Sequence, residues 1–147
     1  MSLDSNNVLH NLKLHAGLLF LRLGLGALVF YHGLASLKAG TQAWLSAGEV
    51  MMTLGFKFAF AQPIWGLSVA FVEFFGGIAI VLGVIFRPSC LFLAFVTLFP
   101  SAVYLSKGAK MMTHYYPIGL GILFLGLALT GAGKIAIGKT DYQKPSP

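Results

Sequence analysis

Four long apolar runs, separated by short polar joints, constrain this chain more than any other feature. They span Ala16 to Leu37, Ile64 to Phe86, Ser89 to Ser106 and Tyr115 to Ala132. About 20 apolar residues are needed to cross a bilayer as a helix, and these runs reach or approach that length. Charged residues make up 10% of the chain, against roughly 25% in soluble domains. Too little polar surface remains to cover a particle in water. The expected fold is therefore an all-α membrane protein, a single domain of four transmembrane helices with polar tails at 1–15 and 133–147. A lipid bilayer is its surrounding, and spanning segments must be helical there because lipid satisfies no backbone group.

The placement of charge agrees. Net charge is +6, but Lys13, Lys38, Lys57, Arg87, Lys107, Lys110, Lys134, Lys139 and Lys144 lie between or beyond the runs. Only Arg22 lies well inside one. A nucleic-acid binder would gather its cations on one face, so nucleic acid is excluded as a partner. Four spans put both termini on one side. A small excess of Lys and Arg there favours cytoplasmic termini. The first run is read as a span and not a cleaved signal, because it is too long and no small-x-small site follows it.

Residues 39–63 are mixed. Trp44, Met51, Leu54 and Phe58 recur at helical spacing, which predicts a short interfacial or re-entrant helix between helices 1 and 2, anchored by Trp44 and Phe58. Gln62-Pro63 starts the second run, since proline suits a first helical turn. Arg87-Pro88 is expected to make the turn into the third. The chain shows no convincing internal repeat, which argues against transport by this chain alone.

Helix association in lipid relies on small residues and polar contacts. Gly66, Ala70, Glu73 and Gly77 share one face of the second helix, beside Gly76. Gly26 and Gly33 share a face with Arg22 on the first, and Gly119, Gly121 and Gly126 mark the fourth. Tight helix packing is the expectation at these glycines.

Glu73 is the most informative residue. A carboxylate near the membrane centre costs about 2.5 to 3.5 kcal/mol even on the lenient insertion scale, so it must pair, protonate or bind something. Counting rise from the helix ends puts it between His32 and Arg22 in depth. Arg22 is the slightly preferred partner, because its guanidinium reaches further and stays charged. His32 is the partner that would titrate. Tyr31 beside His32, and Ser101 and Tyr104 near the end of the third helix, complete a candidate intramembrane polar site. Pro100 frees the Val96 carbonyl and is expected to kink the third helix, opening a pocket there. His114, Tyr115 and Tyr116 read as interfacial anchors.

No close-spaced ligand pair suggests a metal. Covalent haem is excluded, because there is no CxxCH, and Cys90 is the only cysteine. Cys90 starts an apolar helix and is a poor nucleophile candidate.

The order and spacing of several motifs resemble the DoxX family of small four-helix membrane proteins. The first helix reads LRLGLGALVFYHGLASLK, the second VEFFGGIAIVLGVIFRP, and the chain closes on GAGKIAIG. The resemblance covers residues 16 to 138. It implies a bacterial or archaeal cytoplasmic membrane and a link to quinone or thiol redox assemblies, with Arg22, His32, Gly33, Lys38, Glu73, Gly76 and Gly77 carrying the family pattern. On that basis the leading expectation is an accessory or structural subunit of a membrane redox assembly, within a larger complex or a homo-oligomer. The alternatives are a stand-alone quinone-linked oxidoreductase and a small transporter or lipid-binding protein. Quinone or lipid is the expected non-covalent ligand.

Overall fold

A computed structural model describes the backbone of residues 2–131 and the side chains of residues 13–131. Among the described residues six helices follow in order: α1 (Ser2–Ala39), α2 (Thr41–Ala47), α3 (Glu49–Thr53), α4 (Ala61–Leu82), α5 (Phe86–Ser106) and α6 (Met111–Thr130). Four are long and apolar enough to cross a bilayer: Lys13–Ala39 within α1, then α4, α5 and α6. Of the closing Gly-x-Gly-Lys, all but Gly131 lies outside the described residues.

The helix bounds shift by a few residues from the sequence expectation, with α6 beginning at Met111 and not Tyr115, and two of the differences have a clear local reason. The polar start of the chain is not separate from the first span, because α1 runs through it from Ser2. No proline or glycine interrupts that stretch before Gly17. The turn between α4 and α5 falls at Gly83–Ile85, not at Arg87-Pro88. Gly83 takes a left-handed backbone (φ 72°). The Val84 N–H then closes on the Ala79 carbonyl and the Gly83 N–H on the Ile80 carbonyl, a Schellman arrangement for which glycine is suited. Ile85 follows at φ 48°, a strained position for a β-branched residue. Arg87 and Pro88 then sit in the first turn of α5, where a proline gives up no helical hydrogen bond.

Glycines bring the spanning helices together. A β-carbon at Gly33 would lie 2.5 Å from the Phe74 nitrogen, and one at Gly77 would lie 2.6 Å from the Phe30 nitrogen. Backbone thus meets backbone along an antiparallel α1–α4 pair. Gly76 faces the Leu93 side chain of α5, and Gly121 of α6 faces Leu98 and Thr97 of α5. The helices therefore form a curled row, α1–α4–α5–α6. The row does not close. Among the described residues, every α-carbon of α1 stays more than 8 Å from those of α6. Nearer the α4–α5 turn, side chains of α1 and α6 share one buried cluster. Towards the α2–α3 end, the wider separation leaves a slot between the first and last spans, bordered by the exposed His32 and Tyr116.

The half of the bundle nearer the α4–α5 turn is solid. Val29, Ile80, Phe86, Cys90, Leu93, Phe124 and Leu127 are all buried there in one cluster. Cys90 is wholly inaccessible. A charged maleimide should leave it unlabelled in the folded protein and label it fully after denaturation in dodecyl sulfate; labelling under native conditions would contradict this core.

The segment between α1 and α4 is two short helices, broken at Gly48 where its backbone meets that of Gln62. Helix α2 lies on α4 through Gly66, which abuts the Trp44 backbone. The Trp44 indole N–H donates to the Ser36 carbonyl at 3.1 Å. Trp44 thus ties α2 to the end of α1. Phe58 is exposed and stacks on Phe60, with ring centres 5.6 Å apart, in the coil that leads to α4. Val50 of α3 is fully buried over the end of the bundle.

Candidate functional site

The α1–α4 register decides which polar groups meet. Gly33 lies against Ala70, Glu73 and Phe74, while Gly26 lies against Gly77 and Val81. That alignment puts His32 level with Glu73. Their side chains meet at 2.8 Å, His32 Nδ1 to Glu73 Oε2. With a carboxylate at Glu73, the Nδ1–H donates and Nε2 takes no part in the contact.

Arg22 is elsewhere, which corrects the preference for an Arg22–Glu73 pair. Its Nε donates to the Ile80 carbonyl at 3.2 Å, and a terminal nitrogen donates to Val81 at 3.3 Å. The guanidinium also stacks over the Phe86 ring, 5.2 Å from its centre. These carbonyls belong to the last turn of α4, roughly 11 Å along the helix from Glu73. The last four carbonyls of a helix lack intrahelical donors. A cation there also meets the negative end of the helix dipole. Arg22 is only 2% exposed, so it closes a helix end inside the protein.

The two partners at the His32–Glu73 contact differ in exposure. The Glu73 side chain is 12% exposed and that of His32 is 68% exposed. The carboxylate is set back in the bundle, and the imidazole stands in the slot. Together they wall a cavity of about 200 Å³. Leu28 and Val29 of α1 line it, with Leu93 and Thr97 of α5 and Tyr116, Pro117 and Leu120 of α6. The lining is mostly apolar with a few converging polar groups, which is the usual character of a small-molecule site. The pair can take up or release a proton at a place that faces both the cavity and the slot.

The other expected members of the site are not gathered there. Tyr31 points away from the bundle and is largely exposed. Ser101 is buried, and its hydroxyl donates to the Thr97 carbonyl at 3.0 Å. Thr97 in turn donates to Leu93 at 2.9 Å. These two hydroxyls serve their own helix around Pro100, through which α5 continues. Tyr104 stacks on His114, with ring centres 5.3 Å apart, nearer the end of the bundle. Sequence reasoning missed Thr97 and Pro117 and took Tyr116 for an anchor alone. A signal existed, since Pro117 marks the turn of α6 where the Thr113 carbonyl has no helical donor.

No group of three His, Cys, Asp or Glu able to hold a metal occurs among the described residues.

The DoxX family model matches residues 17–105, from the start of the first span to the end of α5. The chain belongs to the DoxX family. No curated protein and no solved structure matches it. In this DoxX protein the motif residues Arg22, Gly33, Glu73, Gly76 and Gly77 are buried along α4 and its contacts, with His32 at the edge of the slot, while Lys38 is exposed near the end of α1. Helix α6 lies outside the matched range, yet it supplies one wall of the cavity.

Proposed function

We propose that this DoxX protein is the membrane subunit of a redox assembly, and that it contributes a proton-exchanging site for a membrane-soluble ligand of the quinone class. The observation that carries the reading is the His32–Glu73 contact, 2.8 Å long, in the wall of a mostly apolar cavity. Intramembrane ionisable groups mark ligand and proton sites by default. Reduction of a quinone to a quinol takes two electrons and two protons. In this reading the electrons come from a redox centre on a partner subunit, and His32 and Glu73 relay protons to the ring oxygens.

The cavity fits the head of such a ligand. Its volume of about 200 Å³ is below the roughly 300 to 1,000 Å³ of sites that enclose a whole drug-sized molecule. It suits one ring, with an apolar tail leaving through the slot past Leu28 and Leu120.

The test is equilibrium binding of a short-tailed quinone analogue to the purified chain in lipid nanodiscs. Glu73→Gln keeps the shape and removes the charge. A hydrogen bond to a charged group contributes about 1.5 to 3 kcal/mol, so binding should weaken about 10- to 100-fold. Equal affinity in the variant, or no binding by the parent chain, would sink the quinone reading. Purification in mild detergent should bring a larger redox partner with the chain.

A further inference from the structure

We infer that the His32–Glu73 site is loaded sideways, from the bilayer leaflet on the α2–α3 side, and exchanges protons with that face of the membrane alone. This deepens the proposal above. It rests on that pair being a ligand site, but not on which ligand binds.

The first argument is closure. The pairs α1–α4, α4–α5 and α5–α6 are drawn together at glycine contacts, and Val50 of α3 is fully buried at the bundle end. The slot between α1 and α6 is the side of the row that these contacts leave unsealed among the described residues. It carries the exposed His32 ring and a half-exposed Tyr116.

The second argument is depth. His32 lies roughly 10 Å below the end of α1 at Ala39, and Tyr116 roughly 8 Å below the start of α6 at Met111. The first span, Lys13–Ala39, has 27 residues and is about 40 Å long. Hydrocarbon occupies about 30 Å of that. The His32 ring therefore sits about 5 Å beneath the hydrocarbon boundary, within reach of a headgroup or of interfacial water.

The third argument is the opposite side. Val29 and Leu93 line the cavity, and they pack in one cluster with Ile80, Phe124 and Leu127 on the side of the α4–α5 turn, all at most 5% exposed. Roughly 15 Å of α1 separates His32 from Arg22, whose fixed guanidinium stands at the far end of this core. A dry apolar plug and a fixed cation both oppose proton passage. The titratable groups facing the cavity are His32 from α1, Glu73 from α4 and Tyr116 from α6; α5 presents Thr97, which does not titrate. All lie on the α2–α3 side of the plug.

The inference is tested by thiol accessibility in full-length protein with Cys90→Ala, reconstituted in one orientation. Reporter cysteines replace Tyr116, Leu120 or, as a core control, Leu127. A membrane-impermeant charged maleimide should label Tyr116→Cys at least tenfold faster from the α2–α3 face than from the other. Equal labelling from both faces, or faster labelling from the far face, would overturn the sidedness. A lipophilic alkyl maleimide should label Leu120→Cys at least tenfold faster than Leu127→Cys, and equal rates would overturn the lateral route. Protection of Tyr116→Cys by a short-tailed quinone supports the ligand reading as well. The same labelling pattern without protection would uphold the route and remove the quinone.

Discussion

Gly66→Ala should destabilise this protein more than any other single glycine-to-alanine change among its spanning helices. The added β-carbon would collide with the carbonyl oxygen, carbonyl carbon and α-carbon of Trp44. All three are backbone atoms, and no rotamer change moves them aside. Trp44 is also held at its other end by the hydrogen bond to Ser36. Helix α2 must therefore lift as a unit, uncovering α4. Overpacking of this kind costs about 1 to 3 kcal/mol, and the upper end applies where backbone must move. A loss of several degrees in the thermal midpoint in detergent is expected, with α2 newly open to proteolysis. Gly76→Ala meets only the Leu93 side chain, at 3.0 Å, and should cost far less. Gly24 and Gly119 have nothing within 4 Å. Alanine at either should be neutral or stabilising by up to about 1 kcal/mol, from helix propensity. A Gly66→Ala protein that melts with the parent would mean that α2 is not seated as described.

The four spans were legible in the sequence because lipid imposes a simple rule on length and charge. The small face of α4 was legible too, since Gly66, Ala70, Glu73 and Gly77 repeat at helical spacing and all four are buried. What could not be read was the register between α1 and α4. Depth measured from helix ends assumes that all helices start and stop level. Helix α4 begins at Ala61, and α1 runs to Ala39 before turning into α2. Which glycine meets which backbone then sets the levels, and a shift of nearly three turns separates His32 from Arg22 as the partner of Glu73. The same limit applied to Tyr116. An exposed tyrosine near a helix start fits an interfacial belt, and only the curl of the helix row shows that it also borders a cavity. Ser101 was misplaced because hydroxyls inside membrane helices often bond their own backbone, and periodicity does not tell that use from a ligand contact.

Arg22→Ala is the second large effect expected, and it separates the two registers by experiment. The change removes donors to the Ile80 and Val81 carbonyls and the contact with Phe86. The Ile80 carbonyl keeps the Gly83 N–H, while the Val81 carbonyl loses its side-chain donor where water is scarce. Each charged hydrogen bond contributes about 1.5 to 3 kcal/mol, partly offset because the buried guanidinium no longer has to be desolvated. A net loss of about 2 to 4 kcal/mol follows, and Arg22→Met, which restores the stem, should recover part of it. Ligand affinity should be untouched wherever the variant is folded, because the His32–Glu73 contact lies roughly 15 Å away along α1. The double variant Arg22→Ala, Glu73→Gln should then show stability losses that add to within about 0.5 kcal/mol, as distant sites do. Were Arg22 the partner of Glu73, the second change would cost little once the first had been made. The size of that coupling, measured by unfolding in detergent, distinguishes an arginine that closes the end of α4 from one that neutralises the carboxylate.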